Sequence, residues 1–320
     1  MRTLKRNVFF SILGVSALAM GAEAYARWGL GLGTPPLFIR DSTIEYRLKP
    51  NQRVQRFGND IRVNQWSMRS EEFPRVKQSG HERVLVFGDS VVWGGAQNGQ
   101  AKIATEIIRR SLNQASKAPV EVGNVAAPSW GPGNWLAYAK RYGFFNADRI
   151  VLVLSSHDAF DNPKFGPLTK EQPTSNPPSA IWEGIERYAL PALHIQQKQV
   201  GMTDSEPTSI TDPSVQKGLH DLHDFLSMAK ASGAKVSAVQ FWAREETRTG
   251  KLEPGNKWNR TILTELQIPT VQSGPIFRRC GSIEKLYTDG IHPYSASGQA
   301  CLAQAIEAAL QKPIHPDTHR

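Results

Sequence analysis

The sequence predicts an α/β protein built on a parallel sheet with helices on both faces, preceded by a smaller extended appendage. Three observations lead there. Residues 84–87 and 150–154 are short, wholly apolar runs of strand length, the pattern of strands buried on both sides. Segments of helical length separate such runs, as at residues 102–114, where Ile103, Ile107, Ile108 and Leu112 fall on one face. The first run ends in Gly88-Asp89-Ser90, a polar turn at the carboxyl end of a strand, where open α/β sheets bind ligands. With 320 residues, 40% of them hydrophobic, the chain can bury one main domain with additions.

Residues 1–30 read as an export segment. Arg2, Lys5 and Arg6 precede an apolar stretch from Val8 to about Ala22, a charged n-region and an h-region. Ala22-Glu23-Ala24 and Ala24-Tyr25-Ala26 both offer small-residue cleavage patterns. The stretch is short for a membrane span of about 20 apolar residues. Extension through Tyr25 and Trp28 gives an uncleaved inner-membrane anchor with aromatics at the interface. A cleaved signal peptide and an anchor both stay open, and either places the rest of the chain in the periplasm or beyond.

Residues 31–80 form the appendage. Gly33-Thr34-Pro35-Pro36 breaks the chain, residues 44–48 alternate apolar with polar, and Gly58-Asn59-Asp60 separates two short runs as a hairpin turn would. The main domain spans residues 81–312. After the strand at 84–87 and the helix at 102–114 come a strand at 120–125, a helix at 134–142 and a strand at 150–154. Eight prolines between residues 163 and 213 mark an insertion, with a short helix at 180–188, of the kind that serves as a lid or binding loop. Regular structure resumes with a helix at 214–231, a strand at 235–241, a helix at 256–267, a strand at 268–271 and a helix at 295–311. Residues 313–320 are a polar tail.

Charge is unevenly spread. Residues 1–80 hold 13 Lys/Arg against 6 Asp/Glu, and the remainder 25 against 23. No helix-turn-helix, zinc finger or RNP pattern accompanies the basic excess, so nucleic acid is not the expected partner. A membrane surface or an anionic polymer fits better.

A serine needs a base, and a base needs a third group to hold it. Thr288-Asp289-Gly290-Ile291-His292-Pro293 supplies both: Asp289, three residues before His292 on a glycine-containing loop, can hold one imidazole nitrogen while the other faces Ser90. Such chemistry calls for no cofactor. His220 and His223, three apart on a helix, read as a solvated face, and no metal is expected there. Trp93, Trp130 and Trp135 are placed either to stack on sugar rings at a site mouth or to pack in the core. The two cysteines, Cys280 and Cys301, flank the Asp289–His292 loop, and export makes them disulfide candidates closing about 20 residues.

Gly88-Asp89-Ser90, a second block at 124–133, a third at 155–158 and Asp289-x-x-His292 occur in the order found in the SGNH, or GDSL, hydrolase family, which the chain resembles over residues 83–312. The resemblance implies a flavodoxin-like three-layer α/β/α fold, with Ser90 as nucleophile, His292 as base and Asp289 as its partner. It implies an oxyanion hole formed by the Ser90 amide, a second-block amide at Ser129 or Gly131, and His157, which stands where the family has asparagine. Tyr46-Arg47-Leu48-Lys49-Pro50-Asn51 resembles a segment of exported members linked to bacterial exopolysaccharide synthesis. That implies an esterase or O-acyltransferase working on acyl, chiefly acetyl, esters of a polysaccharide, beside the synthesis machinery. A lipase or lysophospholipase, and a catalytically silent polysaccharide-binding protein, are the alternatives.

Overall fold

The computed structural model describes residues 2–190 and 207–311, so the polar tail and part of the insertion lie outside the described residues. Two small antiparallel hairpins come first: β1 (Phe38–Asp41) with β2 (Glu45–Leu48), and β3 (Gln52–Arg56) with β4 (Asn59–Val63). The second turns on Phe57 (φ 52°) and Gly58 (φ 72°). Two left-handed residues in a two-residue loop match the twist of the strands they join. The turn therefore sits one residue earlier than Gly58-Asn59-Asp60 had indicated, because Asn59 and Asp60 already pair with Arg56 and Gln55.

The main sheet has five parallel strands: β5 (Glu82–Gly88), β6 (Val120–Ala126), β7 (Arg149–Leu154), β8 (Lys235–Gln240) and β9 (Thr270–Gln272). Their spatial order is β6-β5-β7-β8-β9. This is the order of the flavodoxin-like doubly wound sheet, whose switch point lies where the chain leaves β5 for β6 on one side and returns to β7 on the other. Val84 to Phe87 and Ile150 to Leu154 are buried, as two-sided coverage demands. Each such side chain contributes roughly 1.5–3 kcal/mol on leaving water. The helices at Ala104–Ala115 and Ala296–Gln311 pack together on one face, and those at Pro132–Tyr142 and Pro213–Ala231 on the other. The last strand starts later than the expected 268–271, since the Ile268 amide still closes the preceding helix on the Leu263 carbonyl.

The appendage shares the main core. Ile44, Leu48, Ile61 and Met68 are fully buried in the same apolar cluster as β5 and β7. The described part of the insertion runs over this appendage: the Phe38 amide bonds the Pro173 carbonyl at 2.8 Å, and the Lys164 and Phe165 amides bond Glu45. Its helix at Ala180–Gly184 continues as a wider π turn through Ala189.

Ahead of everything stands the helix Arg2–Ala24, prolonged by a π turn at Tyr25–Gly29. In the segment Arg6–Gly29, 24 residues of mean hydropathy 1.6, the apolar stretch is not buried against the protein, and contact begins only near its end, where Ala26 packs with Leu32 and Ala180. At about 1.5 Å per residue it reaches the roughly 30 Å of a bilayer core.

Candidate active site

Gly88 closes β5 at the switch point. A Cβ there would lie 2.4 Å from Val92 Cγ2, so glycine lets the chain fold back over its own strand. Asp89 then caps a four-residue helix, Ser90–Trp93, accepting the Val91 amide at 2.8 Å. Ser90 thus projects from the first turn of a helix at the carboxyl edge of the sheet. Neither this helix nor those at Arg244–Thr249, Ser273–Cys280 and Ile283–Leu286 has a readable period, being too short to show one.

The loop before the last helix meets Ser90 from the other end of the chain. Ser90 Oγ lies 2.9 Å from His292 Nε2, and His292 Nδ1 lies 2.7 Å from Asp289 Oδ2. The other carboxylate oxygen, Oδ1, accepts the amides of Ile291 and His292, each at 2.8 Å. Burial opposes ionisation of Asp289, yet these bonds and the imidazole hold its carboxyl at about 2. Nδ1 therefore carries the proton, and Nε2 presents its lone pair to the hydroxyl. The Tyr294 ring stacks on His292 at 4.6 Å and its hydroxyl bonds the Ser90 carbonyl, tying His292 to Ser90 a second time. A bond between Cys280 and Cys301, with Cα atoms 6.1 Å apart, joins the helix Ser273–Cys280 to the last helix and encloses the loop.

The architecture is the flavodoxin-like three-layer α/β/α sandwich. No family model and no curated protein sequence matches the chain. Among solved structures it is similar to an acetylxylan esterase from Geobacillus stearothermophilus, at 13% identity and TM-score 0.45, covering 74% of this chain and 97% of that one. It is also similar to a lipase/acylhydrolase from Enterococcus faecalis (13%, TM-score 0.44, 73% and 99%). A psychrotrophic esterase from Pseudoalteromonas sp. shows a similar likeness (10%, TM-score 0.43, 72% and 97%). The chemistry of the site rests on its own geometry.

His157, expected to face the oxyanion, turns elsewhere. Its Nε2 lies 3.2 Å from Asp89 Oδ2 and 3.9 Å from Asp158 Oδ1, and its Nδ1 lies 3.0 Å from Ser155 Oγ. The Ser155 hydroxyl has one proton and donates it to Asp158 Oδ2, so it accepts from Nδ1–H. Nε2 then faces two carboxylates and needs a proton of its own. Burial alone would push the imidazole down, but Asp158, Asp89 and Asp161 raise it to about 10. Burial and the Asp89 charge push Asp158 up while the His157 charge pulls it down, and burial raises Asp161 to about 6. The result is a wedge of one cation among carboxylates, joining the turn after β5 to the turn after β7. Asp89, His157 and Asp158 also offer three ligand atoms within 4.8 Å of one another, the one such grouping among the described residues.

The two second-block candidates differ. The Gly131 amide is spent on Asn134 Oδ1 at 2.9 Å, capping the helix Pro132–Tyr142, so it is not offered to a substrate. A Cβ on Gly131 would meet the Asp161 carbonyl at 2.1 Å, which accounts for glycine there by close packing. Ser129 occupies a left-handed conformation (φ 56°) just before it. Trp93, Trp130 and Trp135 are all buried, two of them donating to the carbonyls of Tyr46 and Gly88, and present no face for a sugar. His220 and His223 lie on the solvated side of their helix.

Sequence reasoning missed Arg69. Fully buried, it stacks over Trp93 and donates to the carbonyls of Trp93 and Gly95 (both 2.8 Å) and Asn98 (2.5 Å). Burial lowers its guanidinium to about 9. Asn98 in turn donates to the Tyr294 carbonyl at 2.7 Å. Arg69 therefore positions the loop that follows Ser90. Its partners are main-chain oxygens distant in sequence, so no motif marks it; Tyr294, two residues after His292, was within reach of a local reading.

Proposed function

We propose that the chain is a serine-dependent ester hydrolase of the SGNH type, acting on acyl esters, chiefly acetyl, of a polysaccharide outside the cytoplasm. The observation that carries this reading is the continuous relay Ser90–His292–Asp289 at the switch point of the sheet. His292 removes the Ser90 proton as Oγ attacks the ester carbonyl, and a tetrahedral oxyanion forms. The amide of Ser90 and a second-block amide at Ser129 are the proposed donors to that oxyanion, each contributing about 3 kcal/mol to the transition state. His292 returns the proton to the departing alcohol, leaving Ser90 acylated. Water, activated by the same imidazole, releases the acid; a sugar hydroxyl in its place makes the reaction a transfer. His157 acts at one remove, fixing Asp89 and with it the turn that carries Ser90.

The N-terminal segment is proposed to remain as an inner-membrane anchor. The Glu23 carboxylate accepts the Ala180 and Ile181 amides and the Ser179 hydroxyl, capping the insertion helix, and Arg27 donates to the Pro178 carbonyl. Cleavage after Ala24 or Ala26 would remove that cap. A disulfide around the catalytic loop fits an oxidising compartment.

The test is covalent labelling of the full chain with a serine-directed fluorophosphonate, followed by turnover of acetylated xylo-oligosaccharide and p-nitrophenyl acetate. Labelling and turnover should both vanish in Ser90→Ala. Ester hydrolysis at the wild-type rate by Ser90→Ala would sink the proposal.

A further inference from the structure

Where the apolar helix leaves the folded body, the surrounding surface is aromatic. Trp28 is 86% exposed and Trp182, on the insertion helix, 54%; Tyr25, Leu30, Phe57 and Tyr188 are exposed beside them. These residues come from three separate segments, and polar contacts gather them. The Phe57 amide bonds the Leu30 carbonyl at 2.8 Å, and the Phe57 and Tyr188 rings meet edge to face at 5.4 Å. The Tyr188 hydroxyl accepts from Arg56 at 2.7 Å. Arg56 pairs with Glu183 at 2.7 Å with both side chains 2% exposed, and Glu183 also accepts the Gly33 amide. Glu23 caps the same helix from below. A buried ion pair is weak as a source of stability but strong as a fixer of one geometry. Here the fixed geometry is a ring of large apolar side chains turned outward.

Clusters of exposed apolar residues mark interaction surfaces, and rings with a polar edge suit the headgroup level of a bilayer. Continuity identifies the occupant. The segment Arg6–Gly29 runs directly into the ring through Tyr25 and Trp28, so a bilayer that receives the helix reaches the ring next. We propose that this ring is a membrane-resting collar, and that the insertion helix Ala180–Gly184 with its π turn serves as a foot on the bilayer and not as a lid. The inference rests on the anchor reading above. From the collar, the turn of the β3–β4 hairpin leads to the site: Asn59 Nδ2 donates to the Gln97 carbonyl at 3.0 Å, Gly95 lies against the Tyr294 ring, and that ring stacks on His292. The collar thus holds Ser90 at a set height beside the membrane, favouring esters presented at its surface.

The full chain, reconstituted in phosphatidylethanolamine–phosphatidylglycerol vesicles, tests this with an environment-sensitive fluorophore on Trp182→Cys. Lys235→Cys, on an exposed residue at the amino end of β8, is the control; the native cysteines are joined to each other and do not compete for label. The Trp182→Cys label should shift to the blue on reconstitution and be quenched by lipids brominated near the headgroup, with no shift at Lys235→Cys. A chain that floats with the vesicles while the Trp182→Cys label still reports water overturns the collar and leaves the anchor. A chain that does not float overturns both.

Discussion

Two histidines flank the turn that carries Ser90, and each has a carboxylate partner, but they are built for opposite ends. His292 sits on a loop whose Asp289 is 52% exposed, with one nitrogen engaged by that aspartate and the other aimed at a hydroxyl. His157 has both nitrogens committed to protein, among carboxylates that are almost wholly buried. The first loop is tied by a covalent bridge and a stacked tyrosine, the second by charge. A histidine that must exchange protons needs a free lone pair; one that must hold two turns together needs none.

The comparison is broken most directly at His292. His292→Ala should lower kcat on the order of 10⁶-fold, with the far-ultraviolet spectrum unchanged, if it acts as part of one unit with Ser90. A modest loss would mean that His292 is no base. Asp289→Asn should fall short of the roughly 10⁴-fold loss caused by a buried triad aspartate, because water reaches this carboxylate. Measuring kcat/KM for both variants on one ester ranks the two contributions.

Reducing the Cys280–Cys301 bridge should destabilise the chain by about 3 kcal/mol, by chain entropy for a closure of 21 residues. Because the closed segment contains Asp289 and His292, activity in the reduced protein should fall before the fold is lost. Denaturant titration and turnover on the same samples separate the two effects; coincident loss would mean that the bridge serves stability alone.

His157→Ala should lower kcat by about 10²-fold, the cost of a small displacement of the turn that carries Ser90 once Asp89 is no longer held. His157→Asn keeps a donor toward Asp89 and should recover much of that loss. Its charge has a separate signature. A raised imidazole binds its proton more tightly when folded, so it stabilises the fold fully below the unfolded value of about 6.5. That contribution disappears as pH rises through about 10. Unfolding free energies across this window should decline in the wild type and decline less in His157→Asn. Equal slopes would show that His157 is not the titrating group.

The sheet was readable because strands covered on both faces favour apolar residues, and residues 84–87 and 150–154 are apolar and buried throughout. Ser90, Asp289 and His292 were readable because each lies in a short segment whose neighbours shape its backbone. What escaped were features made by distance. Arg69 finds its carbonyls more than 20 residues away, and Glu23 caps a helix more than 150 residues later. His157 could be singled out as a departure from asparagine, but its orientation depends on Asp89, which belongs to another strand's turn.

Arg69 has a last consequence, for ancestry and not for chemistry. Because this buried guanidinium of the appendage holds three carbonyls of the loop that follows Ser90, the sheet layer that carries Ser90 is not an autonomous module. Gene fusions that swap the leading segment for another would unseat Ser90, so the two parts are expected to be inherited as a single unit, their sequences drifting in step.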